Sequence, residues 1–190
     1  MDYTQVLVAD TRTTMWEQSS DKPVGERVEI ICIDLALIDT EKQEIIEREK
    51  LIIKPVKSTI SRYCQDWNKI SQKMVDDHGI SFEEAYRRLR VHFMSQDRFW
   101  ATWGSSAMFN INSECRSRKL EGLNVYPCMD INHLFTLFSG KIIDGRPPHI
   151  ADAFKHCAMD NVDSNNAVNI ARIMLRMGWG CKPAFFSKKR

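Results

Sequence analysis

Apolar residues in this chain first recur with the period of strands and then with that of helices. Residues 5–9 (QVLVA) are an apolar run that turns polar at Asp10, as a buried strand does on leaving a sheet, so Asp10 is expected at a strand tip. After a polar stretch with Pro23 and Gly25, residues 29–38 predict a second strand and 44–53 a third, stopped by Lys54 and Pro55. Three strands in succession predict an antiparallel meander. From Ser58 onward helical periods take over: Ser71 can cap a short helix, and the SFEE run at 81–84 is a capping box opening a helix that carries Tyr86, Leu89, Val91, His92 and Phe93. Residues 99–103 read as a strand with Gly104 starting the next loop, 107–116 as a helix, 122–127 as a turn into a short strand, and 131–138 as a helix. Residues 150–157 and 167–177 give two amphipathic helices around the polar loop 159–165. Strands followed by alternating helices and strands make an α/β fold with a mixed sheet.

Composition narrows the class. The 190 residues are 43% apolar and 27% charged, with 8 Gly and 6 Pro, the profile of one compact domain rather than a disordered or repetitive chain. A chain of this length buries roughly 70% of its unfolded surface and needs no disulfide or metal to hold a core. The net charge of +2 does not announce a nucleic-acid partner by itself. Basic residues are nevertheless bunched: Arg87, Arg88 and Arg90; Arg116, Arg118 and Lys119; and a terminal run with Lys182, Lys188, Lys189 and Arg190, so that residues 182–190 read as a basic tail. The six cysteines are far apart and lack zinc-ligand spacing, which reads as free thiols. No apolar run approaches a membrane span, and the start lacks signal-peptide character, so a cytoplasmic, reducing compartment and no membrane partner are expected.

Motifs in order along the chain then carry a resemblance. DTRTTMW at 10–16, EII at 29–31, Lys54-Pro55, ISRYC at 60–64, Trp103-Gly104, NHLF at 132–135 and NAVNIARI at 166–173 resemble, in order and spacing over nearly the whole length, the DEDDh (DnaQ-like) 3'-5' exonucleases, nearest their Eri-1/KapD-like branch. The resemblance implies a ribonuclease-H-like mixed sheet flanked by helices. It also implies a site where two Mg²⁺ or Mn²⁺ ions, held by carboxylates and assisted by a histidine, cut nucleic acid from its 3' end. Carried over residue by residue, the five family positions fall on Asp10, Arg12, Ala107, Asn161 and Asn166, and only Asp10 keeps the family's residue type. Four carboxylates would offset the charge of the metals, whereas Asp10 and Arg12 cancel. A fixed cation about 4 Å from a divalent ion repels it by several kcal/mol even at an effective dielectric near 20. The expectation is therefore no catalytic residue, no metal and no cofactor. Because residues two apart on a strand point the same way, Arg12 is expected to pair with Asp10.

The function expected is that of an inactive exonuclease-like protein acting as a nucleic-acid-binding, regulatory or protein-interaction module, with single-stranded RNA or DNA and a protein as partner classes. An active nuclease using other ligands and a scaffold without nucleic-acid contact are the alternatives. Nucleic-acid candidates are Arg12, whose guanidinium fork suits a phosphate, Trp16, Arg87, Arg88, Arg116, Arg118 and Lys119; plain structural drift is the competing account of Arg12 and Ala107. Asp160 and Asp163 read as loop or cap residues rather than displaced ligands, and Glu29 as a strand-end residue on the solvent side, with Glu26 near it. The five histidines, at 78, 92, 133, 149 and 156, miss the family position. Of the tryptophans, Trp100 and Trp103 read as core, and Trp16 is singled out over Trp67 and Trp179 for base stacking. Met174, Leu175 and Met177 read as core at helical spacing, and Phe185-Phe186 as part of a frayed tail.

Overall fold

The computed structural model describes residues 2–123, 128–140, 142–143 and 146–178. Five strands, β1 (Asp2–Thr13), β2 (Ile30–Asp39), β3 (Glu44–Ile52), β4 (Arg98–Thr102) and β5 (Cys128–Asp130), form one sheet in the order β3-β2-β1-β4-β5. The β1–β2 and β2–β3 pairs are antiparallel, which is the expected meander, while β1–β4 and β4–β5 are parallel. Seven helices flank this mixed sheet among the described residues: α1 (Arg62–Asn68), α2 (Gln72–His78), α3 (Phe82–Arg87), α4 (Ser106–Ser117), α5 (Ile131–Ser139), α6 (Ile150–His156) and α7 (Asn166–Arg176). A π-helical turn, Arg88–His92, prolongs α3.

Strand alternation sorts the core into two layers. Leu7, Ala9, Ile33, Leu35, Leu37 and Trp100 face Phe82, Leu89 and Phe93 of the α3 region and Ile111 and Cys115 of α4. Val6, Val8, Ala36, Ile38 and Ala101 face α7 through Ala167, Ile170, Ala171 and Met174, with Ile131 of α5 alongside. Trp100 is fully buried, Trp103 packs beside Phe135, and Met174, Leu175 and Met177 all join the cores, as their spacing indicates.

Several local expectations need correction. Asp10 is not at a strand tip: pairing with β4 ends at Ala9, but β2 carries hydrogen bonding on to Thr13, so Asp10 lies inside β1 opposite Asp34. Glu29 is buried rather than on the solvent side, because its carboxylate accepts the Val56 and Lys57 N–H groups of the loop after β3 and an N–H of Arg27. Ser81 does cap α3 through the Glu84 N–H, yet the Glu84 carboxylate turns to Arg87 and Arg88 instead of closing the box. The short strand placed within 122–127 is β5, at Cys128–Asp130; residues 124–127 lie outside the described residues, as do Trp179, Cys181 and the basic tail. The five described cysteines are free. Among the described residues no helix is long and apolar enough to cross a membrane.

Candidate functional site

Parity puts Asp10 and Arg12 of β1 and Cys32 and Asp34 of β2 on the sheet face that α7 covers. Register then aligns Asp10, Asp34 and Lys50 in one row across β1, β2 and β3, with Arg12 beside Cys32. The apolar part of that face ends here, where α7 begins, and a polar pocket of about 660 Å³ opens, lined by Asp10, Thr11, Arg12, Lys50 and, from the helices and loops, Trp67, Asn68, Lys69, Met74, Asp163, Ser164 and Asn166.

Arg12 does not pair with Asp10. Its Nη2 donates to Asp34 Oδ2 at 2.9 Å and to the Ser164 carbonyl at 2.7 Å, and its Nη1 donates to the Asn68 carbonyl at 3.1 Å. Asp34 is the more fully enclosed carboxylate and offers the fork an oxygen between the sheet and the loop before α7, so the guanidinium lies where three acceptors from β2, α1 and that loop converge. Both partners are withdrawn from water, with side-chain exposures of 14% for Arg12 and 1% for Asp34. Asp34 also receives the Asn166 backbone N–H at 3.0 Å and has Lys50 Nζ at 4.0 Å.

Asp10 is left with a neutral donor, the Asn166 Nδ2 at 2.8 Å. Burial raises its carboxyl above the usual aspartate range, and the facing Asp34 carboxylate adds to the rise; the Asn166 amide counters only in part. Burial and Asp34 likewise push the Cys32 thiol up, so it is no thiolate nucleophile. Ala107 is buried in the first turn of α4, and Asn161 stands in a left-handed turn (φ 60°) whose carbonyl accepts from Arg172. Of the five positions expected from the resemblance, Asp10, Arg12 and Asn166 line the pocket, while Ala107 and Asn161 do not.

This donor set does not fit two divalent ions. The carboxylates that meet across the strands in this pocket, Asp10 and Asp34, are bonded to an amide and a guanidinium, and among the described residues no group of three His, Cys, Asp or Glu side chains is placed to hold a metal. Asp163, weighed as a displaced ligand, lines the pocket but is tied to Arg48 at 3.0 Å and to the Asn165 N–H. Asp160 contributes only a backbone carbonyl, to Arg172.

The basic candidates are distributed elsewhere. Arg87 and Arg88 are held by Glu84, and Arg88 also by Glu49 at 2.6 Å, on the β3 side of α3. Arg118 bonds Glu114 and Glu83 and lies over the Phe82 ring, inside a network that continues through Glu114 to Arg27 and Glu29. Arg116 lines a separate pocket between α4 and β5 with Asn112 and Asp130, and Lys119 takes a left-handed turn conformation (φ 57°) after α4. Trp16 is half-buried in the loop after β1 and is not among the pocket residues; the exposed tryptophan at the pocket is Trp67. Several residues of the site lay outside the sequence reading, among them Asp34, Lys50, Asn68, Lys69 and Ser164. Asp34 looked like one polar position in an apolar strand, and that break in IICIDLALI was the available signal. Trp67 had been seen, but nothing in the sequence placed it beside residues 10–12.

No protein-family model and no curated protein matches this chain. Among solved structures, the nuclease domain of 3'hExo, a DEDDh family member solved with bound rAMP, is 20% identical, with 92% of each chain covered and a TM-score of 0.77. A full-length 3'-exonuclease is 21% identical over 92% of this chain and 81% of its own, with a TM-score of 0.75. Cell-death related nuclease 4 is 17% identical over 92% of this chain and 64% of its own, with a TM-score of 0.72. At such identities the likeness is one of fold: the mixed sheet and its flanking helices have the architecture of the DEDDh exonuclease domains.

Proposed function

We propose that this exonuclease-like domain is catalytically inactive and serves as a binding module for single-stranded nucleic acid. The observation that carries the reading is the Arg12 guanidinium, fixed by Asp34 and two carbonyls in the pocket where metal-dependent cleavage would need uncompensated carboxylates. Arg12 itself is not the phosphate ligand, since three of its five N–H groups are held by protein acceptors and its side chain is only 14% exposed. It closes the floor of the pocket, and the strand meets the pocket's rim.

The test is direct. Purified protein incubated with end-labelled single-stranded RNA or DNA, with Mg²⁺ or Mn²⁺, is expected to leave the strand at full length, matching a buffer control. Degradation that follows the protein through purification and disappears in Asp10→Ala would overturn the reading. Millimolar Mg²⁺ or Mn²⁺ is also expected to leave the melting temperature unchanged, because an ion that binds the folded state raises it by mass action.

A protein partner is the second reading, favoured by one feature. Leu137 and Phe138 at the end of α5 and Ile142 just beyond it, close together in the chain, are all largely exposed, and exposed apolar side chains, where they form a patch, mark contact surfaces. Loss of a co-purifying protein in Phe138→Asp, with oligonucleotide binding retained, would support it.

A further inference from the structure

Trp67 is large, 69% exposed and unpacked on one side, an unusual state for the side chain with the most apolar area to hide. Its other side is backed by Tyr63, one helical turn earlier, with ring centroids 6.3 Å apart and planes 21° from parallel. The stack is anchored from below. Ser61 caps α1, Cys64 is buried against Ile31, Ile70 and Val75, and Asn68 ties the helix end to β1 by donating to the Thr13 carbonyl. Lys69 ends α1 in a left-handed turn, which places it on the same pocket rim as Trp67 and Met74.

Charge at the rim favours an anion. The lining carries Arg12, Lys50 and Lys69 against Asp10 and Asp163. Arg48 and Asp34, both outside the lining, neutralise Asp163 and Arg12 respectively, which leaves Lys50 and Lys69 facing Asp10, a weakened acid. The nearest exposed acid on α1, Asp66, lies 3.9 Å from Arg62. Lys69 Nζ donates to the Asp66 carbonyl at 2.5 Å, which leaves two of its three N–H groups free to donate, and Lys50 is similarly bonded to the Ser164 carbonyl. A rigid aromatic face beside cations is how proteins hold single strands without reading sequence, the base stacking on the ring and the backbone meeting the positive charge.

Resting on the inactive-module reading, we infer that Trp67, backed by Tyr63, and Lys69 form a stacking site that takes an internal base of single-stranded nucleic acid and does not read a free 3' end. The end would have to descend to Asp10 to be read, and Arg12 bars that path by joining Asp34 to the Asn68 and Ser164 carbonyls. The strand therefore crosses the rim instead of terminating in the pocket.

The experiment uses a fluorescent short oligouridylate in three forms, linear with a 3'-hydroxyl, linear with a 3'-phosphate and covalently circular, titrated with the whole chain and read by anisotropy at low and moderate salt. The three forms are expected to bind within about twofold of one another, more weakly at the higher salt, with Trp67 emission quenched. Trp67→Ala should weaken all three by roughly five- to a hundredfold, Trp67→Phe should restore most of the loss, and Lys69→Ala should flatten the salt dependence. Trp67 is exposed, so these variants keep the fold. No binding at low salt, preference for the 3'-hydroxyl form, or unchanged affinity in Trp67→Ala would each overturn the inference, as would a peptide partner lost in Trp67→Ala while oligonucleotide affinity stays the same. Shortening of the linear strand on a gel reports on the inactivity reading separately, whatever the anisotropy shows.

Discussion

Two buried ionic clusters lie at different places on this sheet; burial raises a carboxyl in each, yet the net shifts have opposite signs. At the start of β2, burial pushes the Glu29 carboxyl up, but the Lys57 and Val56 N–H groups and Arg27 outweigh it and hold it below the ordinary glutamate range. In the pocket, burial pushes Asp10 up and nothing outweighs it, because its donor is an amide and its neighbour across the strands is another carboxylate. The first cluster supplies each acid with its own donors: Glu29 has two backbone N–H groups, and Glu114 has Arg27 and Arg118. The second gives one guanidinium to one of two acids. Structural networks are closed in this way, whereas an under-neutralised carboxyl in a pocket is the kind of perturbed group that clusters at functional sites.

Removing the guanidinium of the pocket should break the comparison most sharply. Arg12→Ala leaves Asp34 buried without its partner and frees the loop before α7, so a loss of about 3–5 kcal/mol in urea unfolding is expected. A loss under about 1 kcal/mol would mean that the guanidinium is not what joins β2 to that loop. Glu29→Gln comes next: the amide keeps one acceptor but turns a donor toward the Lys57 or Val56 N–H, at a cost of about 1–3 kcal/mol. The linkage of Glu29 can be read in the same variant. Its carboxyl is depressed by folding, so the stability it adds is present above the unfolded glutamate value of about 4.3 and is lost as pH falls through the folded value. Thermal unfolding of Glu29→Gln should accordingly fall less steeply on acidification than that of the wild type.

Asp10→Asn should have the smallest effect and the opposite sign. Folding raises the Asp10 pKa, so its favourable contribution is present below about 3.9, the unfolded aspartate value, and is lost as pH rises through the folded value. The asparagine can still accept the Asn166 amide and carries no charge to desolvate. Its melting temperature is expected to exceed that of the wild type at neutral pH and to converge with it in acid; a drop at neutral pH would show that the Asp10 charge is used, most simply by a bound cation.

Much of the scaffold was legible along the chain. The alternation of Val6, Val8, Asp10 and Arg12 assigns these four to one face, and the spacing of Ala167, Ile170, Ala171 and Met174 turns α7 toward it. Those are consequences of two fixed periods, and local sequence carries them whole. The meander and the flanking helices followed from the same kind of reading.

Partner choice within the site was not local. Arg12 is two residues from Asp10, but its fork goes to a residue 22 positions away, because the β1–β2 register sets Asp34 opposite Asp10 and the Asn68 and Ser164 carbonyls fix the direction of the guanidinium. Glu29 similarly turned inward because the loop after β3 brought two unpaired N–H groups to it. Trp67, 57 positions beyond Asp10, reaches the same pocket only when α1 docks on the end of β1 through Asn68 and Cys64. The sequence by itself determined which faces the chain would bury and which residue types the site would hold. Tertiary structure decided which charges meet, since a pairing energy depends on separation and burial, and both are set by segments far apart in the chain.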